Sequence, residues 1–165
     1  MDQKGFTLIE VLICVAFVAI LATISIPSFG KTMAKYRLNG SASTIYLAMK
    51  HAKSKAISTR IVPVVLFNIP NDTYTIFLDT SGNWALDAGE TIISSGSMEH
   101  DVDLYGSTFP SHTYGFNNMG FPKTPLIGPY EVYLRNSLGD YAGVRVNRLG
   151  SLSTISSPDG GITWN

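Results

Sequence analysis

KGFTLIEVLICVAFVAILATISIPSF, residues 4–29, is the stretch on which the reading of this chain turns. From Phe6 to Phe29 the side chains are apolar apart from Glu10 and a few hydroxyls. At about 1.5 Å per residue, a helix of that length crosses a hydrocarbon core roughly 30 Å thick. A cleaved secretory signal has a shorter apolar core followed by a small-residue cleavage site. Here KTMAKYRL, residues 31–38, reads as the same helix continuing. A buried core helix seldom holds so long an apolar run, so a membrane span over 6–29 accounts for it best.

Two residues break the pattern. A carboxylate such as Glu10 costs roughly 2.5–3.5 kcal/mol at mid-bilayer and less near an interface. Either it lies close enough to the membrane edge to stay hydrated, or a positive group from a neighbouring chain meets it on assembly. Pro27 deletes a backbone donor, and Gly30 lies just beyond, which predicts a weak point between the span and the stem that continues it. Charge alone does not orient the span. Lys4 and the amino terminus flank one side against Lys31, Lys35 and Arg37 on the other, which by itself favours a cytoplasmic stem.

Outside this stretch, a net charge of zero conceals a division. Residues 31–60 carry seven basic side chains and no acid, whereas 61–165 carry ten acids against Lys123, Arg135, Arg145 and Arg148. The chain is a basic stem with an acidic head. In the stem, Ala34, Leu38, Ala42, Ile45, Ala48 or Met49, Ala52 and Ala56 recur at helical spacing, predicting one buried stripe. The helix should close near Thr59, ahead of Pro63 and the β-branched run Ile61–Val65. Beyond it, IVPVVLFN, TYTIFL, TIISS, YEVYLR and AGVRVN read as strands, with HTYGF and SLSTI as weaker ones. The segment from Ser94 to Pro129, rich in Gly, Pro and Ser, reads as a long, partly irregular excursion. The class is α+β, a long helix against an antiparallel β head.

The register Lys4-Gly5-Phe6-Thr7-Leu8-Ile9-Glu10, with the apolar run behind it, resembles the class III signal of type IV pilins and type II secretion pseudopilins. The resemblance implies a leader, 1–5, removed by prepilin peptidase between Gly5 and Phe6, with N-methylation of Phe6. It implies a span and filament-core helix over 6–29, its amphipathic continuation over 30–60, and an extracytoplasmic head over 61–165. Glu10 becomes the residue that aids subunit docking, and Pro27 the helix-weakening proline. The subunit would sit in the inner membrane by a single pass, its head periplasmic, before entering a pilus or pseudopilus with other pilin-type subunits. Physical reasoning supports the docking role: a Phe6 α-amine and a Glu10 carboxylate are each costly to bury alone and offset one another when paired. The head is similar, more loosely, to the GspH/FimT type of minor subunit, in the hairpin from Asp79 to Glu90, the turn in YGFNNMGFP and the strand pair around AGVRVNRLG. Major pilins commonly carry a C-terminal disulfide, and a chain whose one cysteine is Cys14 makes none within itself.

Chemistry in the head is sparse. In DTSGNWALDAGE, residues 79–90, Asp79, Ser81, Asn83, Asp87 and Glu90 fall at positions 1, 3, 5, 9 and 12 of an EF-hand-like calcium loop. Against calcium, Trp84 stands where the sharp turn wants glycine, and strands flank the loop. The alternative is a polar turn with Asx hydrogen bonds to its own backbone. His51, His100 and His112 have no metal-ligand spacing, and no catalytic set is recognisable, so no cofactor is expected besides the calcium candidate. DNA capture is the rival function, since some FimT-like subunits take up DNA. Phosphate binding needs clustered Lys and Arg, and in this acidic head only Arg145 and Arg148 are neighbours, so nucleic acid is not an expected partner. A plain membrane-anchored domain that forms no filament is the third reading.

Overall fold

The computed structural model describes residues 5–123 and 130–165, with the backbone alone at 24–28. Residues 1–4 of the expected leader and 124–129 of the expected excursion lie outside the described residues. The first element is one helix, α1, Leu8–Ser58, of 51 residues and about 77 Å. It closes at Thr59, whose N–H reaches the Lys55 carbonyl, just ahead of the β-branched and proline residues that favour a strand. The helix break expected at Pro27 is not an interruption of the backbone: α1 runs through that position. A proline withdraws only its own N–H from the ladder, and the turns on either side keep theirs.

Among the described residues eight strands follow: β1 Val62–Asn68, β2 Thr73–Asp79, β3 Thr91–Ser97, β4 Val102–Ser107, β5 Thr113–Gly115, β6 Tyr130–Asn136, β7 Tyr141–Val146 and β8 Leu152–Ser157. They form two four-stranded sheets, β3-β2-β1-β5 and β4-β6-β7-β8, with antiparallel pairing throughout. Each strand expected from sequence is present. β4, which was not itself expected, lies inside the segment read as partly irregular, and its pairing with β6 shifts register between Leu104 and Gly106. Val102 and Leu104 point inward while Asp103 and Tyr105 point out, the period of two that Gly106 and Ser107 cut short. Asp72 ties the two sheets together by accepting the Leu104 N–H at 2.7 Å.

The stem stripe is buried as expected, from Ala34 to Ala56. Its alanines let the helix approach the sheets closely, while Leu38, Ile45 and Met49 share one buried cluster with Phe67, Tyr114, Phe116, Val132, Leu134 and Val144. Each large side chain buried there contributes about 1.5–3 kcal/mol. One polar residue joins the stripe. Ser41, 1% exposed, accepts the Glu99 N–H at 3.1 Å. The charge division closes on itself at the end of the head nearest the first half of α1, where Lys35 meets Asp140 at 4.0 Å and Arg37 meets Asp101 at 3.6 Å.

Candidate functional site: an unpartnered helix

Ahead of Met33 the helix leaves the head. Every described side chain from Leu8 to Thr32 is exposed, including Leu8 at 80%, Ile9 at 66%, Phe17 at 63% and Phe29 at 67%. The projecting length is about 37 Å. One half of α1 therefore has a single apolar stripe and a sheet to bury it, and the other half is largely apolar with its described side chains exposed. Cys14 is a free thiol on this half and exposed. Among the described residues no helix is long and apolar enough to cross a membrane; the span expected over 6–29 includes 24–28, whose side chains fall outside the description.

At the tip of this helix, Gly5 and Phe6 precede the first turn and are exposed, Phe6 to 88%. Among the described residues, a side chain at Gly5 would meet nothing within 4 Å. Glu10 does something the sequence reading overlooked. Thr7 and Glu10 form a capping box: the Glu10 carboxylate accepts the Thr7 N–H at 3.1 Å and the Thr7 hydroxyl at 3.0 Å, and the Thr7 oxygen accepts the Glu10 N–H at 3.3 Å. The Thr-x-x-Glu spacing was available in the sequence and signals a helix start. Glu10 is thus held at the N-terminal turn by its own chain.

The candidate calcium loop separates its two readings by where its oxygens go. Asp79 accepts the Ser81 hydroxyl and the N–H groups of Gly82 and Trp84, at 3.2, 2.7 and 3.2 Å. Glu90 accepts the N–H groups of Thr80, Ser81 and Asp87, at 2.8, 3.3 and 3.2 Å. Asn83 donates to Asp87 at 2.7 Å and accepts the Ala85 N–H at 2.8 Å. These are the Asx bonds of a polar turn. The carboxylates are spent on backbone amides, and among the described residues no three acidic, His or Cys side chains converge as a metal site. The donor set as arranged does not fit calcium. Partial desolvation pushes the Glu90 carboxyl up, but the backbone N–H groups of Asp87, Thr80 and Ser81 and the Thr80 hydroxyl outweigh it and hold it below its ordinary value.

A family model described as the type II transport protein GspH matches residues 41–150, about two thirds of the chain. The chain belongs to the GspH family. A second model, the prokaryotic N-terminal methylation motif, matches residues 1–26 of this GspH-family chain. Its fold is similar to that of the minor pseudopilin EpsH from the type 2 secretion system of Vibrio cholerae, with a TM-score of 0.54, 12% identity, and coverage of 74% of this chain and 99% of that one. It is also similar to the type IV minor pilin FimU of Pseudomonas aeruginosa, with a TM-score of 0.57, 13% identity, and coverage of 75% and 90%. A search of curated protein sequences finds no match. The pilin-type fold, the family and the methylation motif thus agree on a structural subunit of a pilus or pseudopilus. DNA capture draws no support from the head of this GspH-family subunit. Arg145 is spent on Glu131 and Arg135 on Asp103, leaving among the described residues of the head no cluster of cations aimed at a phosphate backbone.

Proposed function

We propose that this chain is a minor structural subunit, made as an inner-membrane precursor, cut between Gly5 and Phe6 by prepilin peptidase, methylated at Phe6 and built into a type II secretion pseudopilus or type IV pilus. The observation that carries this reading is the contrast along α1, buried on one stripe beside the head and exposed all round ahead of it. An apolar rod in water costs about 25 cal/mol per Å² exposed. A bilayer covers it while the subunit is stored, and the helices of neighbouring subunits cover it in a filament. Docking through Glu10 fits the same geometry, since a carboxylate held at the helix tip offers a fixed anion to a neighbour's amine. The head stands on the periplasmic side, anchored by a single pass, and the role is mechanical rather than catalytic, with no cofactor.

The test is the mature N-terminus of protein recovered from cells, read by mass spectrometry. A chain starting at N-methyl-Phe6 is expected. A chain still starting at Met1 in a strain with an active prepilin peptidase overturns the reading in favour of a plain membrane-anchored domain.

A further inference from the structure

One cation of the stem is left over where the helix joins the head. Lys35 meets Asp140 at 4.0 Å and Arg37 meets Asp101 at 3.6 Å. Lys31 is exposed and meets no acid or acceptor among the described residues. On the membrane reading it lies just beyond the exported end of the span, where a lysine runs against the positive-inside preference. Its neighbours Lys35 and Arg37 are answered by acids of the head, and Lys31 is not.

The surroundings narrow what answers it. Lys31 lines a cleft of about 460 Å³ with Thr32, Lys35, Leu138 and Asp140. Lys31 and Lys35 are one turn apart on the same face of α1. Asp140 does not close the cleft to an anion. It accepts the Asn136 side-chain amide at 3.0 Å, and its 4.0 Å approach to Lys35 is longer than a hydrogen bond. The Lys35 ammonium, on a side chain 68% exposed, keeps its donors for another acceptor. An anion between the two lysines therefore meets two cations against one acid.

On the head's side of the cleft, Leu138 is the apex of a turn, NSLGD at 136–140, closed by its own polar groups. The Asn136 side-chain oxygen accepts the Leu138 and Asp140 N–H groups at 3.1 and 2.8 Å. Gly139 supplies the left-handed φ of +80°. Nothing in that geometry needs an apolar apex, yet Leu138 is 53% exposed, and Tyr36 on the next turn of α1 is 75% exposed. Lysines, a tyrosine and an exposed leucine are the residue types of a membrane–water interface.

Distance along the helix sets the level. Counted from Phe29, where the apolar run ends, Lys31 lies about 3 Å and Lys35 about 9 Å further along α1. The polar headgroup layer of a bilayer is about 5–8 Å deep on each side of the hydrocarbon. With the apolar half of α1 in the bilayer, both ammonium groups reach that layer, since lysine stems extend toward water and headgroups.

We infer that this cleft seats the phosphate-bearing headgroup of an anionic phospholipid, with Leu138 entering the interface beside it, so that a stored subunit holds its head down on the bilayer. The inference rests on the membrane reading of α1 and adds a second contact to it. The occupant is lipid because the cleft adjoins the segment that a bilayer covers in that reading, and because the charge left unanswered is cationic. Entry into a filament exchanges lipid for protein at this point.

The experiment uses the full-length chain with Cys14→Ala, to remove the native thiol, and Ser137→Cys, an exposed position beside Leu138. An environment-sensitive fluorophore at 137 is followed with the protein reconstituted in vesicles of phosphatidylcholine alone or mixed with phosphatidylglycerol. Blue-shifted, brighter emission is expected only with phosphatidylglycerol, and is lost in about 1 M NaCl, where the screening length is about 3 Å. Lys31→Gln should lower the docking equilibrium, read as emission against phosphatidylglycerol content, about fivefold, the effect of one lysine near an anionic surface. Leu138→Asn should weaken it as well. Equal emission in the two vesicles, or emission indifferent to either substitution, overturns the inference. So does displacement by inorganic phosphate at constant ionic strength, which would make the cleft a free-phosphate site. A signal that grows with protein density rather than with phosphatidylglycerol overturns it in favour of a neighbouring chain. Resistance to carbonate extraction is measured on the same vesicles. Carbonate-resistant protein with a lipid-indifferent label refutes the docking and leaves the membrane reading standing, whereas protein released by carbonate refutes both.

Discussion

Glu131 and Arg145 are register partners across β6 and β7, and the Arg145 Nε donates to the Glu131 carboxylate at 2.5 Å. The other Glu131 oxygen accepts the Tyr133 hydroxyl. Tyr133 in turn stacks against Trp164 with ring centroids 4.6 Å apart, and the Arg145 guanidinium reaches the Trp164 carbonyl at 3.5 Å. One buried carboxylate thus ties the C-terminal tail to the second sheet. Burial pushes the Tyr133 phenol up, and the bond to Glu131 pushes it further.

Glu131→Ala leaves Arg145 and Tyr133 without their shared acceptor, and should cost about 2–3 kcal/mol in denaturant unfolding. Glu131→Gln keeps a hydrogen-bond acceptor but loses the charge, and should cost less. Equal costs would show that the charge contributes nothing.

Thr7→Ala and Glu10→Leu separate the two uses of Glu10. Each destroys the capping box, a loss of about 1 kcal/mol of helix stability. Only Glu10→Leu also removes the anion. Both precursors should insert in the membrane, and filament incorporation should fall sharply for Glu10→Leu but stay near wild type for Thr7→Ala, as read by immunoblotting sheared filaments. Equal defects would assign the effect to the cap.

Asp159 predicts an acid-sensitive tail. The Thr163 hydroxyl, then the Thr163 N–H, then the Ser157 hydroxyl hold its carboxyl at about 2, below the ordinary 3.8. A depressed carboxylate stabilises above its unfolded value, and that contribution is lost as pH falls through the folded one. Trp164 fluorescence in a Trp84→Phe chain should therefore change between about pH 4 and 2. Asp159→Asn should abolish that acid step.

Tyr114 is fully buried, and among the described residues its hydroxyl has no hydrogen-bond partner. Its ring stays in place in Tyr114→Phe, between Phe109 and Phe116 at 4.9 Å from each. Removing an unsatisfied buried hydroxyl should leave stability unchanged or raise it by about 1 kcal/mol. A loss of that size in thermal unfolding would reveal a partner.

Millimolar calcium should not shift the melting temperature relative to a chelator, because the Asp79 and Glu90 oxygens already hold their own loop amides. Glu90→Gln should weaken the loop equally with and without calcium. A calcium-dependent gain lost in that variant would mean that the loop rearranges around the ion.

The legibility of each feature in the sequence depends on how local its signal is. The stem stripe from Ala34 to Ala56 was readable because helical period and burial coincide along one continuous stretch. The capping box was equally local and was overlooked behind the docking role suggested for Glu10. β4 escaped because its alternation lasts only from Val102 to Tyr105 before Gly106. The calcium spacing of 79–90 was real as spacing. Side-chain direction is not carried by spacing, and the oxygens turned inward.

By itself the sequence determined the two-part helix, every strand but β4, the family motif at Gly5–Phe6 and the charge division between stem and head, all written in contiguous runs of residue type. Only the tertiary structure decided which cations are spent and which acceptors they meet. Those facts depend on strand order and register, which bring Lys53 to Gly150 and Glu131 to Arg145. Burial of the whole core selects that order, and no short stretch of chain encodes it.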